Sequence, residues 1–275
     1  MQETKRNVTN ENDLQKIKEL RLMDDDFFSE ALDGKTEAVE YILNTILERD
    51  DIKVKSTKAQ VEYKSATKRS IKLDIQAEDV HGRLMDIEIQ RSDRGSGVRW
   101  ARFHSSMIDR ALLSKGDDFE DLVDTYVIFI TEKDKFGMGI PLYHIERKIS
   151  EMDNALFGDG AHILYVNGEY RNLEHPVGSL MHDFNCKDAK DMVNPLLAEE
   201  VRFLKETEGG RSQMSRILEE MRNEVAEKAK AEGNHEKAVN TALKMIAKKY
   251  EAEEIAEITG LSLEEVRKLA ENQKG

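Results

Sequence analysis

The sequence predicts an α/β fold: a mixed β-sheet with helices on its faces. Three observations predict it. Residues 71–90 read as two amphipathic strands joined by a tight turn. Thr125 to Thr131 form a short continuous apolar run bounded by charge, the pattern of a strand buried on both faces. Helical periodicity precedes the first strands and separates them from the buried one, the order of a sheet clothed by helices.

Taken in order, residues 1–22 are polar and predict a loose or partly helical lead-in. Asp24, Asp25 and Asp26 offer N-caps for a short helix that Gly34 stops. Residues 36–49 carry Val39, Ile42, Leu43, Ile46 and Leu47 at helical spacing, with Glu40 at the border of that stripe and Glu37 further out. A border glutamate commonly snorkels or pairs with a neighbouring turn. Residues 52–64 predict a strand with Val61 and Tyr63 as core positions. In the hairpin, Ile71, Leu73, Ile75 and Ala77 alternate with Lys72, Asp74, Gln76 and Glu78. In its second strand Met85, Ile87 and Ile89 alternate with Leu84, Asp86, Glu88 and Gln90, and Gly82 serves the turn.

A basic linker, 91–99, leads to a helix over 100–113 with Ala101, His104, Ile108, Ala111 and Leu112 near one face. Arg99 and Arg102 stand at its start, where arginine opposes the helix dipole and where an anionic ligand is within reach. Solvated surface arginine is the plainer account. After the apolar strand, 141–145 and 162–168 predict further strands. Beyond residue 187 strand signals vanish, and 190–206 and 212–250 predict helices, broken at Gly209-Gly210 and near Gly233-Asn234. The last segment predicts two short helices, the first ended by Gly260 and the second capped by Ser262. It has the outline of half a helix-turn-helix, but Glu264 and Glu265 stand where a DNA reader carries basic or amide groups. It reads as a packing or dimerisation element. The predicted organisation is a lead-in over 1–22, a main domain over 23–208 and a helical extension over 209–275.

Side chains along a strand alternate between faces, so Asp74, Glu88 and Gln90 can share one face of the hairpin. Carboxylates converging there, with an amide two residues on, suit a hard divalent cation and favour a metal-dependent phosphodiesterase. The competing account is solvated acids on an exposed sheet face.

Bulk properties narrow the classes. The 275 residues are 39% hydrophobic and 35% charged, too apolar for a disordered chain. No run approaches the roughly 18 apolar residues of a membrane span, and no apolar stretch follows Met1 as in a secretory signal. The single cysteine, Cys186, precludes an intramolecular disulfide and disfavours a cysteine-based metal site, so a reducing, cytoplasmic setting is expected. The net charge of −13 works against tight non-specific duplex binding, which then needs a local basic patch or bound metal.

Several segments together resemble the PD-(D/E)XK nuclease superfamily, within it the recombination-promoting nuclease and transposase-like branch. They are Asp24-Asp25-Asp26-Phe27, Ile42-Leu43-Asn44-Thr45-Ile46-Leu47, Leu73-Asp74-Ile75-Gln76-Ala77 and Asp86-Ile87-Glu88-Ile89-Gln90. Further on come Arg99-Trp100-Ala101-Arg102-Phe103-His104, Tyr126-Val127-Ile128-Phe129-Ile130 and Ile163-Leu164-Tyr165-Val166-Asn167-Gly168. The resemblance spans most of 23–215 and rests on their joint order. It implies a three-layer α/β/α restriction-endonuclease-like sandwich around a mixed sheet, and hydrolysis of DNA dependent on Mg²⁺, with Mn²⁺ able to substitute.

By the same resemblance Asp74 is the metal-binding aspartate, Glu88 the acid of the D/E-x-K signature, and the main-chain carbonyl of Ile89 a further ligand. Gln90 stands in place of the signature lysine and brings no charge. Glu40, or alternatively Glu37, is the expected helical acid, and Arg99 and Arg102 are candidates for binding the substrate. Two further expectations remain open: a catalytically degenerate fold that binds DNA or protein, and a homodimer formed through the C-terminal helices.

Overall fold

A computed structural model of the chain describes residues 11–64, 70–91 and 97–272. The start of the lead-in (1–10) and the centre of the basic linker (92–96, with Gly95) lie outside the described residues. Helices α1 (Glu11–Glu19), α2 (Asp25–Leu32) and α3 (Thr36–Ile46) come first. Strands β1 (Val54–Tyr63), β2 (Ile71–Asp79) and β3 (Leu84–Gln90) follow, then α4 (Val98–Leu112) and β4 (Thr125–Thr131). Next are β5 (Leu142–Ile145), a small ribbon of β6 (Lys148–Ile149) and β7 (Ala155–Leu156), and β8 (Ala161–Asn167). The remaining α-helices are α5 (Pro176–Asn185), α6 (Pro195–Glu206), α7 (Glu208–Ala247), α8 (Ala252–Thr259) and α9 (Leu263–Asn272).

The main sheet has six strands in the order β1-β2-β3-β4-β8-β5. The β3–β4 and β4–β8 pairs are parallel and the rest antiparallel, so the sheet is mixed. A parallel pair needs a crossover, and α4 supplies it between β3 and β4. The apolar run of β4 sits mid-sheet, with Val127, Ile128, Phe129 and Ile130 fully buried.

On one face α4 packs Ala101, Met107 and Ile108 against Leu84, Val127, Phe129 and Tyr165. The alternate residues Ile87, Ile89, Ile128, Ile130, Leu164 and Val166 are buried on the other face. There α2 and α3 bury Phe27, Phe28, Val39, Ile42, Leu43 and Ile46. Phe28 meets Phe184 of α5 at 5.7 Å between ring centroids. The architecture is therefore the expected three-layer α/β/α arrangement.

Several local expectations need correction. The hairpin is not half-solvated: β3 lies between β2 and β4 under α4, and Asp86 and Glu88 are 0% and 3% exposed. Asp24 stands at the N-cap of α2 but makes no side-chain cap; its carboxylate accepts the Arg21 N–H and an Arg91 guanidinium N–H. Part of the lead-in is core, since α1 buries Ile17 and the following Leu22 is buried too. Helix α5, not among the helices expected above, carries Val177, Leu180, Met181 and Phe184 at helical spacing, and Pro176 opens it at the first turn.

The break expected at Gly209-Gly210 falls at Thr207, where α6 ends, and α7 then runs unbroken through Gly209-Gly210 and Gly233. A mid-helix glycine costs only about 1 kcal/mol, which the flanking helix formers absorb. At Gly210 a Cβ would strike the Phe203 carbonyl and the Leu204 backbone, so this glycine permits close approach rather than ending a helix.

The chain divides into two compact units, Met1–Ser215 and Arg216–Gly275. Within the second, Ala242, Ile255, Leu261 and Val266 form a small core. Gly260 (φ +73°) ends α8, and the Ser262 hydroxyl accepts the Glu265 N–H at 3.3 Å as α9 begins. Among the described residues no helix is long and apolar enough to cross a membrane.

Candidate metal centre

The hairpin β2–β3 pairs regularly from Glu78↔Leu84 to Ile75↔Ile87 and then opens. Where the backbones part, two side chains take over. The Asp74 N–H donates to Glu88 Oε1 at 3.0 Å, and the Ile89 N–H donates to Asp74 Oδ2 at 2.9 Å. Each strand thus holds the other's carboxylate through a main-chain donor, which fixes both acids in one place. The turn at the far end of the hairpin is pinned separately. There buried Asp79 accepts the His81 and Arg83 N–H groups on Oδ1 and the Arg83 guanidinium on Oδ2.

Asp74 is 7% exposed. Burial, then the Glu88 charge, then Asp25 push its carboxyl up to about 9. Asp25 is the exposed first residue of α2 and hydrogen-bonds the Asp74 carboxyl. Glu88 is raised by burial and by Asp86, partly opposed by His104. Asp86 is raised well above the carboxylate range by burial, and hydrogen-bonds Glu88. Burial also keeps His104 below the ordinary imidazole value, against the pull of the Glu88 charge.

His104 Nδ1 lies 3.1 Å from Asp86 Oδ2 and 4.0 Å from Glu88 Oε1. The Trp100 and Phe129 rings stand 4.7 and 5.8 Å from the imidazole. No donor reaches the buried Asp86 Oδ1 among the described residues. The arrangement gathers oxygen donors that repel one another until a proton or a cation arrives. Asp86, Glu88 and His104 are close enough to hold an ion between them.

The structure brings Asp74, Glu88 and Ile89 together but not Glu40. Glu40 receives Lys53 Nζ at 2.7 Å and the Val54 N–H at 3.0 Å, which ties α3 to β1. Val54 pairs with Asp79, five residues along β2 from Asp74, or about 16 Å at the rise of a strand. Glu37 is exposed on α3.

The helix residue that meets Asp74 is Asp25 of α2, whose place at a helix start has a local explanation as a cap. Gln90 is half-buried at the end of β3, where its carbonyl accepts the Glu132 N–H. Arg99 and Arg102 are exposed in the first turns of α4. Around the rim Arg91 pairs with Asp24 and Glu132, and Arg21 with Glu132.

A second cluster, His182, Asp183 and Cys186, also has ligand spacing. Its groups are committed elsewhere. Asp183 accepts the N–H groups of Val193 and Asn194, and His182 Nε2 and Cys186 Sγ lie against the Asp191 carbonyl.

A model of the family described as PD-(D/E)XK nuclease family transposase matches residues 26–258. No curated protein and no solved structure matches the chain.

Proposed function

We propose that this chain, which belongs to the PD-(D/E)XK nuclease transposase family, hydrolyses DNA phosphodiesters in a reaction that depends on a divalent cation. The observation that carries the reading is the reciprocal clasp of Asp74 and Glu88 where β2 and β3 part. The donor set fits a hard ion: buried carboxylate oxygens whose protons are held first by burial and then by the neighbouring acids. Asp74, Glu88 and the Ile89 carbonyl would hold Mg²⁺, or Mn²⁺ in its place, with Asp25 as a further carboxylate at the open side. Such an ion polarises a scissile phosphate and lowers the pKa of water.

The chain's own residues do the rest. The Gln90 amide orients the attacking water by hydrogen bonding, without the charge a lysine would bring. Arg99 and Arg102 engage phosphates flanking the cleaved bond. With a net charge of −13, this local patch and the cation must supply the attraction for DNA. The family membership favours a role in recombination or mobile-element movement.

Gln90 and the overall negative charge also favour a second reading, a binding module that engages DNA without cutting. The test is cleavage of labelled single- and double-stranded DNA in Mg²⁺, Mn²⁺ or EDTA, beside Asp74→Ala and Glu88→Ala. Metal-dependent cutting lost in both variants supports the nuclease. Metal or DNA binding with no cutting under any condition replaces it with the binding module.

A further inference from the structure

The metal centre accounts for Asp74 and Glu88 but not for the pair behind them. Asp86 and His104 are both 0% exposed. A buried carboxyl with an oxygen that no donor reaches, beside a buried imidazole whose Nε2 has no partner among the described residues, is costly. Simple packing would be served better by apolar side chains at both positions. Their geometry runs in one direction: His104 Nδ1 contacts Asp86 Oδ2, the Asp86 and Glu88 carboxylates come within 4.8 Å of each other, and Glu88 Oε1 receives the Asp74 N–H. The Trp100 and Phe129 rings both pack near the imidazole, at 4.7 and 5.8 Å between centroids.

We propose that His104, acting through Asp86, is a positioning residue that sets the Glu88 carboxylate for metal binding, and that it touches neither metal nor DNA. The proposal rests on the nuclease reading for what the bound ion does, but not for whether an ion binds. His104 Nδ1 stands 4.0 Å from Glu88 Oε1, against 3.1 Å from Asp86 Oδ2. The ring therefore reaches Glu88 through the aspartate. Anchoring α4 to β3 in this way also couples the helix that carries Arg99 and Arg102 to the strand that carries Glu88. The metal and substrate groups then share one rigid support.

The experiment is Mn²⁺ binding followed by electron paramagnetic resonance on the full chain, with thermal unfolding in EDTA as a check of folding. The variants are His104→Phe, His104→Asn, Asp86→Asn and the double variant His104→Phe with Asp86→Asn. Removing a group that orients a metal ligand typically weakens affinity about 10- to 100-fold.

We expect that loss in His104→Phe. His104→Asn, whose amide nitrogen leaves the side chain at the place of Nδ1, should return to within about threefold of wild type. The double variant should bind no more weakly than the worse single variant, because both changes cut one contact. On DNA, kcat should fall in His104→Phe, with a smaller rise in KM because α4 also carries Arg99 and Arg102.

Wild-type Mn²⁺ affinity in His104→Phe overturns the proposal. So does an asparagine variant as weak as the phenylalanine one, which would make the ring a packing element. Two ions per wild-type chain falling to one in His104→Phe also overturns it, because the ring would then be a ligand. Wild type that binds Mn²⁺ but never cuts DNA defeats only the nuclease reading. Wild type that binds no Mn²⁺ defeats both.

Discussion

Replacing Asp74 by asparagine is expected to stabilise the metal-free protein while removing its hold on a divalent ion. The unfolded aspartate titrates near 3.9, whereas burial, Glu88 and Asp25 push the folded carboxyl up to about 9. Between those values the native state keeps a proton that the unfolded chain has released. Stability therefore falls as pH rises through that window. Each pKa unit is worth about 1.4 kcal/mol. Because neighbouring acids share the strain, recovery of about two units is expected, or roughly 3 kcal/mol at pH 8.

Asparagine can still accept the Ile89 N–H that Asp74 Oδ2 now takes, so the clasp survives. For a protein of this size roughly 3 kcal/mol raises Tm by about 6–12 °C. The assay is thermal unfolding by circular dichroism in EDTA at about pH 5 and pH 8. The gain should be several-fold larger at the higher pH. Added Mn²⁺ at about a hundred times its Kd should stabilise wild type by about 2.7 kcal/mol and leave the variant unmoved. An unchanged or lower Tm at the higher pH in EDTA, or the same gain at both pH values, would refute the reasoning.

Other substitutions separate the site from its scaffold. Asp25→Asn should weaken Mn²⁺ binding about tenfold by titration calorimetry. Glu40→Gln should leave cleavage within about twofold and cost about 1 kcal/mol in denaturant unfolding, since it serves only Lys53 and Val54. Lys205 donates to the carbonyls of Lys18, Leu20 and Lys187, so Lys205→Met should cost about 2–4 kcal/mol in denaturant unfolding. Gly178→Ala drives a Cβ into the Asn172 backbone, and a Tm drop equivalent to more than about 2 kcal/mol is expected.

The alternation of β2 and β3 is legible because strand periodicity is local, but it does not by itself bring Asp74 to Glu88: Ile71 and Leu73 pack with Leu84 under α4, and the two acids meet through main-chain donors where the β2–β3 pairing stops. Their burial is not legible. Leu84, Asp86, Glu88 and Gln90 read as a polar face until β4 pairs alongside and α4 covers them, and that contact depends on chain far from the hairpin. Asp25 is hidden for a related reason. An aspartate at a helix start has a sufficient local explanation as a cap, and only the packing of α2 on β2 shows that it faces Asp74.

Glu40 misleads in the opposite sense. Its place on a helix suits a metal ligand, yet the β1–β2 register sets its partners at the other end of the sheet. The break near Gly233 fails because glycine is a weak breaker, and the one expected at Gly209-Gly210 is displaced to Thr207, since at Gly210 the lack of a side chain serves packing. His104 is legible as an inward position on α4, but its partner Asp86 becomes visible only in three dimensions.

The most direct test of the account is anomalous diffraction from crystals of the wild-type chain grown with Mn²⁺. The account predicts a peak between the Asp74 and Glu88 carboxylates, on the side of Asp25. A peak confined to His182, Asp183 and Cys186, or no peak at β2–β3 from a protein that cuts DNA in Mn²⁺, would contradict it.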